Sequence, residues 1–501
     1  MIEVKGMLKL TKFVFDLKFL IRKLFFKSII KYKIMDRVLP SNVDYTKILP
    51  LAVESRSHRR SFFPTNGQQF TSDGNNIIRI DVSASAFLDP KHSYLRFRFT
   101  NRSATTLGFD FGGGSGFIRR LRVEQAGNVL SDCQNYNKLM SAIVLPSQCS
   151  LEAVGHRSIS EGVRFANQHG VPMGPAPPAE STGTISISPA PDSTQITAAA
   201  GGGDTYTFCV PLMQGLLGST QDKMVPLQLL GSSPVTIEIE LAPYLDVGVF
   251  GAAPAAGYTI DQVRYLAQLV EVGPEVDAQL RMVQEVSGGR LVLNGVDYTH
   301  FAGTISAGAT GQNVINVPAR RKSMKSLFFV GASQTYGGAQ HTVANLSYGG
   351  NFNAKSFQMK IGSVLHPATP IEANLDAPAG NRSEVLSELA KCWGTLSSVN
   401  GVGVLCAANY ATTDCDVAGM AVDVGAGAAT QSLRFSPFGI DLEAFQRTAI
   451  ESGVNTADRS LPISLMIDIS TPNAQAINVD AYVAYDSLYF IDETGTIRVS
   501  M

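Results

Sequence analysis

Charge is scarce in this chain. Asp, Glu, Lys and Arg make up 17% of its 501 residues, against about 25% in an ordinary soluble domain, and the formal net charge is −1. A body this close to neutral sets up no global field for holding a polyanion, and no specific nucleic-acid site is expected in it. Low charge without long apolar runs fits a chain that buries surface against copies of itself. Tryptophan occurs once, at Trp393, so a carbohydrate-binding surface of stacked indoles has a single candidate. The six cysteines, Cys133, Cys149, Cys209, Cys392, Cys406 and Cys415, stand alone. No C-x-x-C pair and no secretory signal accompanies them, and they are expected as free, mostly buried thiols in a reducing compartment. The seven histidines are scattered, without the clustering with cysteine that zinc needs, so neither a metal nor another cofactor is expected.

Catalytic patterns are missing as well. The glycines of Gly112–Gly116 are followed by no Gly-Lys-Ser or Gly-Lys-Thr, and a flexible turn between strands explains them better than a phosphate loop. There is no G-x-S-x-G and no H-E-x-x-H. Asp441 and Glu443 stand at an expected helix start, where carboxylates suit the dipole. His92, beside Lys91 in a turn, and His300, near a strand edge, fit structural roles. The basic groups Arg119-Arg120 and Arg320-Arg321-Lys322 fit solvated strand ends or subunit salt bridges better than phosphate contacts. The sequons at Asn101, Asn345 and Asn381 are of a kind common by chance. No catalytic residue is assigned, and an enzyme is not expected.

What the chain does have is one β-rich layout twice over. Asn76–Val82 and Ser93–Thr100 in the first half, expected as two strands joined through Phe87–Ser93 with a turn at Asp89-Pro90, answer to Asn313–Val317 and Ser323–Val330 in the second. Proline-led segments follow at Val210–Gly218 and Ser436–Phe445. Strand pairs close each half, Val235–Leu241 with Val263–Val272 and Leu461–Ile469 with Ala481–Asp492. Matched elements lie roughly 220–240 residues apart, far beyond the about 20–50 residues of a solenoid repeat. Two β-sandwiches with a few short helices and long loops account for this spacing. The expected helices are Asn135–Val144, Gly273–Gly289 (stopped by two glycines), one opening at Asn381 with a capping-box Glu384, and one running from Ile440 to Gly453. Long exposed loops are expected at Val171–Gly203, Gly331–Asn351 and Asp414–Gln431.

The first 34 residues differ from the rest. They carry nine Lys or Arg residues against Glu3 and Asp16, interleaved with Phe, Leu and Ile. Charges recur too often for a membrane-spanning helix. The segment fits a basic amphipathic helix on an anionic membrane, an arm touching nucleic acid, or an upstream extension of a reading frame that starts at Met35. The expected divisions are 1–34 as this extension, 35–69 as a polar arm with a basic knot at Arg56, Arg59 and Arg60, 70–287 as the first sandwich and 288–501 as the second.

Ser61–Val82, Phe87–Asn101, Arg120–Ile143 and Cys209–Leu241 resemble the corresponding stretches of the double jelly-roll major capsid proteins of Polinton-like viruses and virophages. In the second half the likeness rests on element order. The resemblance implies an all-β chain of two tandem eight-stranded jelly rolls, standing side by side in an icosahedral shell. It implies homotrimers forming pseudo-hexagonal capsomers, with neighbouring capsomers, penton or minor capsid proteins as partners and possible contact with an internal membrane through residues 1–34. The place of action would be the virion capsid, assembled in an infected host cell. Two other classes stay open: a carbohydrate-binding or adhesion module built of tandem sandwiches, and a cupin-type enzyme, for which the required His and Glu spacing is not found.

Overall fold

The computed structural model describes residues 55–500 except 104–106, 150–155, 158, 163–194, 197–204, 219–222, 232, 251–256, 335–345, 348, 351, 374–382, 398–402, 406–409, 411–434 and 445–452. The first half holds eight principal strands: β1 (Ser55–Phe62), β2 (Ile77–Val82), β3 (Phe87–Asn101), β4 (Ile118–Gln125), β5 (Asn128–Gln134), β6 (Thr205–Val210), β7 (Val235–Leu241) and β8 (Tyr258–Val272). They form two antiparallel sheets, ordered β1-β8-β3-β6 and β2-β7-β4-β5. Eight more follow: β9 (Arg290–Ile305), β10 (Gly311–Asn316), β11 (Met324–Ser333), β12 (Ala354–Ile361), β13 (Val364–Glu372), β14 (Phe438–Asp441), β15 (Ile463–Ile469) and β16 (Ile477–Asp492). Their sheets run β9-β16-β11-β14 and β10-β15-β12-β13. Each strand of the first half therefore has its counterpart eight strands later, in the same place. This is the Greek-key order of a jelly roll, made twice. A last strand, β17 (Ile497–Ser500), pairs with β16.

Alternation builds each sandwich. In β2, Ile78, Ile80 and Val82 face inward while Arg79 and Asp81 face out; in β3, Leu95, Phe97 and Phe99 face inward. The core of the first roll centres on Phe97, Phe99, Phe109, Phe117, Phe208 and Tyr258, whose ring centroids lie 5.0 to 6.4 Å apart, several pairs edge to face. In the second roll Phe329, Phe357 and Phe438 play the same part. Between the rolls runs α1 (Pro274–Val286), with Pro274 at its start and Gly288 and Gly289 past its end at φ 73° and 81°. Helix α2 (Ser383–Cys392) is also where it was expected, with Glu384 in its first turn. The segment expected as a helix from Asn135 is helical over Tyr136–Lys138, widens to a π turn over Leu139–Val144 and closes with Leu145–Gln148.

Five expectations are corrected. Ser55–Phe62 lies in the first roll as β1, not in a polar arm: Phe62 is its only buried residue, so an edge strand this polar leaves no apolar period. The turn at Asp89–Ser93 does not join two strands. It is a bulge inside β3, since Asp89 pairs with Gln268 and Tyr94 already with Leu266, and Asp89 caps it by accepting from the Lys91 amide at 3.1 Å. Ile440 and Asp441 do not open a helix but end strand β14, where Phe438 and Ile440 alternate inward; Asp441 accepts from the Glu443 amide at 3.1 Å, a turn that mimics a cap. The remainder of that expected helix, 445–452, lies outside the described residues. The proline-led segments do not match each other: β14 lies within the second, whereas its counterpart β6 ends where the first begins.

The glycine run, finally, is no flexible turn. Gly113–Phe117 is a buried 3-10 helix. A Cβ on Gly114 would lie 2.6 Å from Val210 Cγ2, and one on Gly113, at φ +52°, would lie 2.4 Å from the Glu161 carbonyl. Here glycine lets backbone pack against backbone. Of the expected loops, Gly331–Ser333 belongs to β11, and most of Val171–Gly203 and all of Asp414–Gln431 fall outside the described residues.

Truncating Phe99 should show how much one ring of the aromatic core contributes. Phe99→Ala is expected to lower unfolding free energy by about 3–5 kcal/mol, measured by chemical denaturation. A loss below about 1 kcal/mol would mean that Phe99 is not a core ring.

Candidate functional site

The candidate site is a surface: the seam between the two rolls. Sheet β9-β16-β11-β14 covers the core of its own roll with one face and meets the first roll with the other. Phe328, Val330, Tyr482, Ala484, Tyr489 and Ile491 belong to the same continuous apolar cluster as the first roll's core. The first roll presents β5, the helical segment from Tyr136 to Gln148 and the stretch Leu212–Leu217.

Polar groups in the seam are paired across it. Asp297 of β9, fully buried, accepts from Ser131 Oγ of β5 at 2.8 Å and from Tyr489 Oη at 2.6 Å. Burial pushes its carboxyl above the ordinary value, with these two hydroxyls opposing. Gly215, at φ +49°, passes close above: a Cβ there would sit 2.3 Å from Asp297 Oδ1 and 2.2 Å from Tyr489 Oη. Gln125, also buried, donates to the Gly495 carbonyl and accepts from the Ile497 amide, both at 2.9 Å. Farther along, Tyr482 Oη donates to the Asn135 carbonyl at 2.9 Å. Lys138 Nζ lies 2.6 Å from Asp480 Oδ2, and His300 Nε2 lies 2.8 Å from Asp480 Oδ1. Burial alone would raise the Asp480 carboxyl, but Lys138 and His300 hold it well below its ordinary 3.8. Asp110 accepts from the Leu346 and Ser347 amides at 2.9 and 3.3 Å. The rolls thus share one interior.

The residues weighed for chemistry have these surroundings where described. His92 is exposed and 2.7 Å from Asp89. His300 is in the seam. Arg119 lies 3.6 Å from Glu240, and Arg120 is held by both oxygens of Asp132. Arg320 donates to the Leu461 carbonyl, Arg321 to Thr299 at 3.0 Å while lying over the Tyr485 ring, and Lys322 to Ser500 at 2.8 Å. Glu443 is 3.2 Å from Lys325. Trp393 stacks on Phe328 with centroids 4.5 Å apart, so it is no open sugar platform. Cys133, Cys149, Cys209 and Cys392 are free thiols; Cys406, Cys415, Asn345 and Asn381 lie outside the described residues, and Asn101 is buried. Among the described residues no cluster of His, Cys, Asp and Glu fits a metal, and no helix is long and apolar enough to cross a membrane. Residues 1–34 are not among those described. Asp297, Asp480, Lys138 and Gln125 were not singled out from sequence, although two signals point to them: Asp297 interrupts an apolar strand, and SLFFV and AYVAY are apolar on both faces.

Two carboxyls give opposite pH signatures. Because the folded state depresses Asp480, its contribution is complete above 3.8 and is lost as pH falls below that value. Asp480→Asn should therefore cost about 3 kcal/mol at neutral pH, with the deficit shrinking in urea unfolding below 3.8; a deficit independent of pH would rule out the ion pair as its source. Glu161 behaves in reverse. Burial raises it from 4.5 to about 7, with Arg157 opposing at 3.4 Å. Its ionised form is penalised in the fold, so stability falls between pH 4.5 and about 7. Glu161→Gln should stabilise the protein above that range and leave it unchanged below; equal effects at both ends would contradict this.

No known family model matches the sequence, and no curated protein matches it. Solved structures do match over nearly the whole chain. VP54 of PBCV-1, in a crystal structure fitted into a reconstruction of the virophage Sputnik, aligns with TM-score 0.53 at 10% identity over 91% of this chain and 99% of its own. A chain of the Sputnik virophage structure aligns with TM-score 0.53 at 10% identity, over 93% of this chain and 92% of its own. The Faustovirus major capsid protein aligns with TM-score 0.51 at 8% identity, over 90% and 93%. The two rolls and the seam between them have the double jelly-roll fold of viral major capsid proteins.

Proposed function

We propose that this protein is the major capsid protein of an icosahedral virus, a structural subunit and not an enzyme. The observation that carries this is the seam. Two complete rolls share one buried interior, and the chain aligns with viral shell proteins over 90–91% of its length. The unit of assembly is a homotrimer whose six rolls make a pseudo-hexagonal capsomer, which meets neighbouring capsomers and penton or minor capsid proteins in the virion, after assembly in an infected cell. The chain's net charge of −1 supplies no global field for condensing a genome.

The rolls are aligned, and this supports an inside and an outside. At one end lie Ser55, α1, Arg290 paired with Asp492, and the β17 hairpin. At the other, Asn101 pairs with Tyr258, Thr205 with Thr100 and Ile305 with Ile477. Described residues flanking 163–204, 251–256, 335–345 and 374–382 sit at that second end. We assign it to the outer surface, where long connections meet solvent and partners. The first end then faces inward.

Purified protein should run as a trimer in mass measurements at micromolar concentration, since obligate interfaces of more than about 2,000 Å² hold at that dilution. Electron microscopy should show hexagonal capsomers or shells. A chain monomeric under all conditions and invisible as capsomers would overturn the proposal.

A further inference from the structure

The seam that joins the rolls inside one chain also indicates how one chain meets the next. Phe97 of β3 pairs with Phe208 of β6, and Phe329 of β11 pairs with Phe438 of β14. Aligned on these pairs, Phe328 of the second roll corresponds to Arg96 of the first. Tyr482, the neighbour of Phe328 across β16, corresponds to Arg264, the neighbour of Arg96 across β8. In the second roll this outer sheet face is apolar and buried in the seam. The first roll presents arginines in its place. Arg96 Nη1 and Arg264 Nε are buried from solvent and have no hydrogen-bond partner, and among the described residues neither arginine makes an ion pair. Arg59, at the same face, donates to Tyr94 Oη at 3.2 Å and makes no ion pair among the described residues. A buried guanidinium N–H without an acceptor is costly, so the face is built for an acceptor that the single chain does not supply.

The other half of the joint is duplicated too. In the seam the first roll contributes edge strand β5 and the helical segment that follows it. Their counterparts are edge strand β13 and helix α2. Val364, Leu365 and Leu386 are exposed there, at 55%, 38% and 37%; Glu372, at the other end of β13, and Glu384, in the first turn of α2, are exposed as well. A sheet face against an edge is a heterologous contact, which closes into a ring when repeated through a rotation.

We propose that the arginine face of the first roll, Arg59, Arg96 and Arg264, docks on the β13–α2 edge of the second roll of another copy of this chain, with Glu372 and Glu384 as its acceptors. This rests on the capsid proposal and specifies its subunit contact. The divergence has a physical sense. The inner joint forms within one chain and can be greasy from the start, whereas a face that must wait for a partner stays soluble if it is charged. Charge pairing then sets the register of docking and suppresses wrong contacts.

The test uses the full chain and its oligomeric state by native mass spectrometry and sedimentation. Arg96→Glu with Arg264→Glu, and separately Glu372→Arg with Glu384→Arg, should each weaken trimer formation by about tenfold or more while the rolls stay folded by circular dichroism. All four changes in one chain should restore the trimer. If the glutamate variant fails to fold, Arg264→Cys with Leu386→Cys in an otherwise unchanged chain replaces it, and oxidation should link copies into dimers and trimers. A trimer indifferent to both charge reversals, a fourfold variant that stays dissociated, or a cysteine pair that never links copies would overturn this contact and leave the capsid proposal standing. A wild-type chain that is monomeric throughout would overturn both.

Discussion

The second roll contains a sheet that is apolar on both faces, and such a sheet has to be covered twice. One face closes on Ile463, Leu465 and Ile467 of the sheet opposite. The other has no partner within its own roll, and the first roll supplies it. Once the two are joined, the buried polar groups follow from the same constraint: Asp297 needs Ser131 and Tyr489, Asp480 needs Lys138 and His300, and Gln125 needs the Gly495 turn. Each would be costly if its partner withdrew. The rolls are therefore two folds by topology and one unit by energetics, and splitting the chain at α1 would expose Phe328, Tyr482 and Ile491 to water.

Much of the fold was legible in the sequence because each roll is built on alternation. Ile78, Ile80 and Val82 announce β2, and the glycines after α1 and the capping box at α2 announce their helices. What stayed hidden had no local signature. Strand β1 is polar on nearly every residue, because an edge strand at the surface needs only ladder bonds and one inward Phe62. The turn chemistry of Asp89-Pro90 was real, but it served a bulge, and only cross-strand pairing distinguishes the two. Asp441 makes the bond of a helix cap in a turn that ends a strand. The glycines at Gly112–Gly116 read as slack from sequence alone, and their contacts show close packing instead.

The seam was legible only by comparing the halves. LRFRF in β3 alternates, as a face open to polar surroundings should; SLFFV in β11 does not, and neither does AYVAY in β16. Loss of alternation in a strand whose counterpart retains it marks a second buried face. Read in this way, the 17% charge content is partly a record of where surface is hidden.

Duplication explains why one chain should hold both kinds of face. Two rolls with identical strand order provide the same two half-joints each, a sheet face and an edge, hence four in all. Covalent linkage consumes one face and one edge in the seam, and one of each is left over. The leftovers need not keep the chemistry of the pair that was consumed. A contact made during folding has a high effective concentration and tolerates apolar surface. A contact made between finished molecules has to remain soluble beforehand and choose its partner afterwards. Arg96 and Arg264, standing where the other roll has Phe328 and Tyr482, are what that second condition would select.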